Sequence, residues 1–384
     1  MTGAWPERKL GDLVRLTSGQ SPSAFRFRET GLPYFKVDQL GKSSKYLSYR
    51  ETPYLSMDLP SVPAGSILIA KRGGAIALNR VRMLSEPGFM DTNVMALTPG
   101  DEIEPEFLYY WLLYRGLWDI ADVTSVPQIN NKHINPLSIA LPSLREQRRI
   151  AEALQSVDGQ LDVLKSVIAK KRAIKQGMMQ EILTEAWPET TVGAEFDVQL
   201  GKMLDAAKNA GTPKMYIGNR AVQWGHIDLG AAGHVPLSQG DILRFRLRRG
   251  DLLVCEGGEV GRAAIWDYDI ECYYQKAIHR LRSKHGYNAR VLKALLEARA
   301  SSGGFADYVT QTSIAHLPRD KFLTLPIPSI PDEKQSAIDS MLGDVDAEIA
   351  ALERHLEATR AIKQGMMQEL LTGRTRLASA EASA

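Results

Sequence analysis

One block of sequence occurs twice, and no other feature constrains the fold as strongly. Ile174-Lys-Gln-Gly-Met-Met-Gln-Glu-Ile-Leu-Thr184 returns as Ile362-Lys-Gln-Gly-Met-Met-Gln-Glu-Leu-Leu-Thr372, identical at ten of eleven positions at an offset of 188. Upstream, Leu141-Pro-Ser-Leu144 matches Ile327-Pro-Ser-Ile330 at offset 186, and Trp5-Pro6 with Gly11 and Gly19 matches Trp187-Pro188 with Gly193 and Gly201 at offset 182. Offsets that drift this little describe a duplicated unit with small insertions, a globular half followed by a helix, twice.

The segments between these blocks carry a heptad pattern. Ile150, Leu154, Val157, Leu161, Leu164 and Ile168 step by alternating fours and threes, as do Ile338, Leu342, Val345, Ile349, Leu352 and Leu356. That spacing is the seam of a coiled coil. Pro142-Ser143 and Pro328-Ser329 with Pro331-Asp332 supply start signals. Each helix can reach about 40 residues, or ~60 Å. A single apolar stripe needs a partner, and the nearest is the other copy. Residues 143–186 carry a small positive excess and 329–384 a negative one. A chain that returns through a whole globular half is expected to lay the two helices antiparallel, with the halves at opposite ends.

The halves read as mixed helix and strand. Ser66–Ala70 and Asp251–Cys255 are short buried-strand candidates, each preceded by a glycine and followed by a glycine pair, and Glu106–Ile120 and Asn288–Ser301 have helical spacing. The two cysteines, Cys255 and Cys272, cannot build a disulfide framework or a four-cysteine zinc site, so a reducing, cytoplasmic setting is expected. No apolar run approaches the ~20 residues of a membrane span.

Catalytic constellations are few. Walker, HExxH, GxSxG and glycine-rich S-adenosylmethionine signatures do not occur. Pro331-Asp-Glu-Lys334 has the letters of a nuclease motif, yet it stands where a helix opens rather than on paired strands. His279, His285 and His316 read as structural or DNA-facing rather than as metal ligands, and no metal site is expected. The net charge is only +2, with the halves near +1 and +3, so any nucleic-acid footprint must rest on local runs. The runs are Arg26 with Arg28, Lys42 with Lys45, Lys71-Arg72, Arg80 with Arg82, and Arg244, Arg246, Arg248 and Arg249. Alternation at period two, on a strand, would aim Arg26/Arg28 or Arg244/Arg246/Arg248 from one face, where guanidiniums can fork onto guanine or phosphate. Gln128, Asn130 and Asn131 in the first half, and Gln311 and Thr312 in the second, have amides or hydroxyls suited to adenine.

Taken together, Leu141-Pro-Ser-Leu-Arg-Glu-Gln147, its degenerate copy Ile327-Pro-Ser-Ile-Pro-Asp-Glu-Lys-Gln335 and the two IKQGMMQE blocks resemble the specificity subunit of type I restriction-modification systems, across essentially the whole chain. The Leu10-Gly-Asp-Leu opening with Gly19-Gln-Ser-Pro22, and Gly257-Gly-Glu-Val-Gly-Arg262 in the second half, are similar to that family too. The resemblance implies an α+β fold with two target recognition domains (1–142 and 187–328), joined by two long helices (143–186 and 329–373) in an antiparallel coiled coil, and a flexible tail at 374–384. It implies a non-catalytic, cytoplasmic subunit reading a bipartite double-stranded DNA target, the helices setting the unread gap. Partners implied are two adenine-N6 methyltransferase subunits, which hold the S-adenosylmethionine, and restriction motor subunits. The DNA-contacting set expected on this reading is Arg26, Arg28, Lys42, Lys45, Lys71, Arg72, Arg80, Gln128, Asn130, Lys202, Arg244, Arg246, Arg248, Arg262 and Gln311. Methyltransferase docking is assigned to Lys175, Gln176, Met178, Met179, Lys363, Gln364, Met366 and Met367, the plain alternative being continuation of the helix seam. The substitution of Pro331-Asp-Glu-Lys for the tidier first motif predicts a different start to the second helix. The competing reading is a coiled-coil scaffold whose halves bind proteins.

Overall fold

The computed structural model describes residues 5–58, 61–122, 126–205, 209–311 and 315–377. The chain forms two compact units. Unit 1 comprises residues 1–165 with 354–384, and unit 2 comprises 166–353. Each unit therefore takes one globular segment and part of each long helix.

Unit 1 is built on a five-stranded sheet. Its strands are β1 (Val14–Ser18), β2 (Tyr46–Leu47), β3 (Ile67–Ala70), β4 (Arg82–Leu84) and β5 (Val94–Pro99), in the order β1-β5-β3-β4-β2. Met95 faces Ser18 across one ladder and Ile69 across the other. β3 is buried at all four positions, which is why its apolar run does not alternate. Helix α1 (Pro105–Arg115) covers the sheet, burying Phe107 through Leu112. The long helix α2 spans Leu144–Thr184, 41 residues, and its Ser143 side chain accepts from the Glu146 N–H at 3.3 Å.

Unit 2 repeats the plan. β6 (Phe196–Leu200), β7 (Leu252–Cys255), β8 (Ala263–Ile265) and β9 (Ile278–Ser283) pair in the order β6-β9-β7-β8, the same path as the first four strands of unit 1's sheet. Helix α3 (Ala289–Ser301) follows, capped by Asn288, whose side chain accepts from Arg290 and Val291 N–H. Helix α4 spans Asp332–Leu371, 40 residues. A second, smaller sheet in each unit contains one parallel pair: Leu32–Phe35 beside Phe89–Met90 in unit 1, Thr212–Ile217 beside Tyr273–Tyr274 in unit 2. The mixed α+β class read from sequence holds in both.

The helices pair within each unit, and they run antiparallel. In unit 1, Lys363 meets Asp158 at 2.6 Å and Arg376 meets Glu146 at 3.0 Å. In unit 2, Lys175 meets Asp346 at 2.7 Å and Arg172 meets Glu353 at 2.5 Å. Numbers rise along one helix as they fall along the other. Lys175–Asp346 and Lys363–Asp158 are moreover the same pair at the repeat offset of 188. Such half-exposed ion pairs contribute ~0–1 kcal/mol, so apolar burial holds the helices, at ~1.5–3 kcal/mol per fully buried side chain. Of the expected seam, Ile150, Leu154, Val157, Leu161, Ile168, Ile338, Leu342 and Leu356 are buried, while Leu164, Val345, Ile349 and Leu352 are half-buried. The deepest ones join a globular core as well: Ile150 and Leu154 in unit 1, Ile338 and Leu342 in unit 2.

Both helix starts are fastened by the same residue. Gln147 is fully buried; its Oε1 accepts from the Glu104 N–H at 2.8 Å, and its Nε2 donates to the carbonyls of Pro142 and Glu102 at 2.9 and 3.0 Å. Gln335, also at offset 188, accepts from the Asn288 N–H at 2.6 Å and donates to the Ile330 carbonyl at 2.8 Å. Glu104 and Asn288 are the cap residues of α1 and α3. Each glutamine thus ties a long helix to the short helix of its own unit. The expectation of a different start to α4 is corrected on this point, because Pro331-Asp-Glu-Lys still delivers Gln335 to the same place.

Candidate nucleic-acid interface

In unit 1 the chain leaving β3 gathers several of the polar residues expected to meet DNA. Lys71 N–H donates to the Asn93 carbonyl at 2.7 Å, its own carbonyl accepts from Ile129 at 2.9 Å, and Gly73 N–H reaches the Pro127 carbonyl at 2.9 Å. Arg72 and Gln128 form an antiparallel bridge. The Lys71 ammonium donates to the Ser18 hydroxyl at the end of β1, 3.1 Å away. The Gln128 amide donates to Asn130 Oδ1 at 3.0 Å. His133 Nδ1 accepts from the Asn130 N–H, so its other nitrogen carries the proton toward Asp122 at 3.2 Å, and Lys132 adds an ion pair at 2.9 Å. The hydrogen bond from Lys132 holds the Asp122 carboxyl below its ordinary range. Lys71, Arg72, Gln128 and Asn130 therefore converge on one loop cluster, with Arg72 and Lys132 exposed. Its chemistry is a guanidinium fork and an ammonium for phosphate or guanine, plus amides for base edges.

Unit 2 places a cluster at the equivalent strand end with different side chains. Glu256 occupies the position of Lys71: its N–H donates to the Ala277 carbonyl at 2.9 Å, and its carbonyl accepts from Leu317 at 2.6 Å. Gly257 bridges His316, and Lys202 bridges Gln275. Asn219 donates to the Gly257 carbonyl at 3.0 Å, while Arg262 donates to the Asn219 carbonyl at 2.8 Å. Burial pushes the Glu256 carboxyl upward. A carboxylate accepts where a lysine donates, so the two clusters present opposite hydrogen-bond polarity at this point. Glu256, Asn219 and Lys276, whose N–H donates to the Lys202 carbonyl at 2.9 Å, are not among the residues expected from sequence, whereas His316 reads there as structural or DNA-facing; the signal for the others is the strand-glycine-pair punctuation shared by Ala70–Gly74 and Cys255–Gly258.

Both clusters are seated by a glycine. A Cβ on Gly19 would stand 1.8 Å from the Asp91 carbonyl oxygen, and one on Gly201 would stand 2.3 Å from that of Gln275. Only hydrogen fits, because the obstacle is backbone. Gly19 and Gly201 are the matched pair at offset 182.

Other expected contacts lie elsewhere. Lys45 is buried, ion-paired with Glu106 and 3.2 Å from the Tyr110 hydroxyl, with its ammonium over three tyrosine rings; as an interior cation it is unavailable to a ligand. Arg26 and Arg28 are exposed on either side of Phe27, which packs on Tyr34 and Tyr54. Lys42 is exposed, and Arg80 packs against Gly41. Lys202 and Arg262, which do stand in the unit 2 cluster, are ion-paired there with Asp241 at 3.0 Å and Glu259 at 3.4 Å. Arg244 lies in a helix (Gln239–Phe245), and Arg246 and Arg248 in the turn after it, rather than on a strand. Their alternate exposure survives because Phe245 and Leu247 point inward. These arginines precede β7, whereas the Glu256 loop follows it. Gln311 lies on a two-residue strand whose side chain is not described, and Thr312 lies outside the described residues. Among the described residues no group of His, Cys, Asp and Glu is arranged to hold a metal ion, and no helix is long and apolar enough to cross a membrane.

The repeated blocks divide their residues the same way in both units. Met179 and Met367 are buried in the globular cores and Met178 and Met366 half-buried, while Lys175 and Lys363 are engaged by Asp346 and Asp158. Core packing, not docking, thus accounts for the buried methionines. Ala173, Ile174, Gln176, Gly177 and Gln180 are exposed, as are their copies Ala361, Ile362, Gln364, Gly365 and Gln368.

Comparison with known proteins converges on the same architecture. Residues 3–171 match the family model of the Type I restriction modification DNA specificity domain. Over those residues the chain is similar to type I restriction-modification specificity domains. It is 25% identical over 193 residues to the type I restriction enzyme MjaVIII specificity subunit of Methanocaldococcus jannaschii, covering 47% of this chain and 45% of that one. It is 26% identical over 166 residues to the EcoR124I/EcoR124II specificity subunit of Escherichia coli, covering 39% and 40%. The chain thus spans under half the length of the curated relatives it matches. The fold extends further: the crystal structure of the S subunit from M. genitalium aligns over 97% of both chains with a TM-score of 0.59 at 16% identity. A structure addressing complex assembly and conformational transition of the type I R-M system aligns over 98% of this chain and 99% of that one, with a TM-score of 0.62 at 16% identity.

One buried histidine bears on handling the protein. His279 is fully buried, its Nε2 donating to the Leu317 carbonyl at 2.9 Å, and burial lowers its pKa from 6.5 to about 4. Between those pH values the unfolded chain binds a proton that the folded chain refuses. The stability this neutral imidazole supports is complete above pH 6.5 and is lost as pH falls toward 4. His279→Gln, which keeps a donor for Leu317, is expected to lose about 2 kcal/mol less than the parent between pH 7.5 and 5.0 in urea unfolding; equal losses would place the acid sensitivity elsewhere.

Proposed function

We propose that this chain is the non-catalytic DNA-recognition subunit of a type I restriction-modification complex, each unit reading one half of a split duplex target. The observation that carries it is the duplication of a reading device. Two sheets of equivalent strand order carry polar loop clusters at equivalent strand ends, seated by equivalent glycines and fastened to the helices by equivalent glutamines. The clusters differ in side chains, as two different half-sites require. The near-neutral charge of the halves fits a subunit whose partners add phosphate contacts.

The exposed residues common to both repeated blocks support docking of two copies of one partner, a methyltransferase subunit. That partner would hold S-adenosylmethionine and accept the target adenine flipped from the stack. Motor-nuclease subunits complete the assembly for restriction, and the complex acts on DNA in the cytoplasm.

Gel shift with the purified methyltransferase on a pool of random duplexes tests the reading. Selection of one bipartite sequence is expected, with Arg72→Ala weakening binding and lowering its salt dependence. Binding without sequence preference would favour a protein-binding scaffold.

A further inference from the structure

The two units also differ beside their short helices, where their framework is the same. Tyr110 stands six residues after the α1 cap, Glu104, and Ala294 six residues after the α3 cap, Asn288, both caps being held by the equivalent glutamines. Tyr110 is fully buried. Its hydroxyl donates to Asp158 at 2.7 Å and accepts from Lys45 at 3.2 Å, and its ring lies 5.4 Å from the Lys363 ammonium, which itself pairs with Asp158. Unit 2 keeps the matching pair, Lys175 with Asp346. In place of the ring it has Ala294 and an open cavity of about 870 Å³, lined also by Met179, Trp224, Lys293 and Glu297. That volume lies within the range of small-ligand sites.

The chemistry of the lining selects the occupant. Its three cations, Arg172, Lys175 and Lys293, are balanced by Glu297, Asp346 and Glu353, so neither an anion nor a cation gains net attraction. Asp346 accepts from Lys175 at 2.7 Å and lies 3.5 Å from Lys293, and a carboxylate has lone pairs for a further donor. Trp224, Met179 and the alanines 294, 298 and 350 offer apolar walls. We propose that this cavity binds a neutral para-substituted phenol, its hydroxyl donating to Asp346 and its ring beside Ala294, in the manner of Tyr110 in unit 1. The phenol comes either from a tyrosine of the methyltransferase docked on the adjoining repeated block, which rests on the function proposed above, or from a free small molecule.

The probe is p-cresol, titrated into the full-length chain while the indole N–H signal of Trp224 is followed. Saturable binding is expected, at least tenfold tighter than that of toluene, which lacks the hydroxyl. Ala294→Tyr is expected to abolish it by supplying the ring internally, and Asp346→Asn to bring p-cresol down to the level of toluene. Absence of saturable binding, equal binding of toluene, or undiminished binding in both variants overturns the proposal. Repeating the titration with the methyltransferase bound separates the sources: exclusion of p-cresol assigns the cavity to a partner side chain, and continued binding assigns it to a free phenol. None of the titrations on the free chain depends on DNA recognition, so that reading can fail independently.

Discussion

Gly19→Ala is expected to silence recognition by unit 1 while leaving unit 2 intact, and Gly201→Ala is expected to do the reverse. The added methyl on residue 19 meets the Asp91 carbonyl oxygen at 1.8 Å and the Met90 carbonyl oxygen at 2.5 Å. Both are backbone atoms, so no rotamer change relieves the overlap. The Gly19 N–H bond to the Val94 carbonyl and the Gln20 N–H bond to the Met90 carbonyl, at 3.2 and 2.9 Å, hold this crossing in place. Relief requires the crossing to open, which separates Ser18 from Lys71. Overpacking of this kind costs on the order of 3 kcal/mol. Binding assays on duplexes altered in one half-site at a time check it. In the Gly19→Ala subunit, changes in the half-site read by unit 1 should no longer matter, and changes in the other should matter as before.

Gln147→Leu is the second large effect, here on stability. The replacement has nearly the right volume but leaves the Glu104 N–H and the Pro142 carbonyl without their side-chain partner in a buried place. An unsatisfied buried group costs ~1–3 kcal/mol, so a loss of roughly 3–5 kcal/mol is expected. Gln147→Glu should be damaging too, because a carboxylate keeps the acceptor for Glu104 but faces two carbonyls it cannot donate to. The measurement is urea unfolding of the full chain, with hydrogen exchange at the Leu108 amide, which bonds to the Glu104 carbonyl. Protection there should fall in the Gln147 variant and stay unchanged in Gln335→Leu, whose effect belongs to the first turn of α3. Equal loss of protection in both variants would show that the glutamines do not act locally.

The framework was legible from sequence because duplication and a heptad period leave traces that need no knowledge of long-range contacts. The two long helices, Leu144–Thr184 and Asp332–Leu371, follow the heptad runs, and their antiparallel pairing follows from the chain path. Interior polar chemistry was less legible. Lys45 looks like one more surface cation until Glu106 and Tyr110, some sixty residues on, enclose it. Arg244, Arg246 and Arg248 alternate in exposure, but Ser238 and Asp241 cap a helix there, and a two-residue period is ambiguous across a helix end. Gln147 lies inside the Leu141–Gln147 motif, but its role is not legible there, because its three partners are backbone atoms, which no sequence pattern marks. Glu256 is not legible from charge, because positive runs mark phosphate contacts, whereas base edges include donors that a carboxylate can receive.

Recognition by two independent units is tested most directly by exchanging residues 1–142 for the corresponding segment of a type I specificity subunit and sequencing the methylome of cells that express each complex. The account predicts that one half of the methylated sequence changes to the donor's and the other half stays as it was. A target altered in both halves, or in neither, would contradict it.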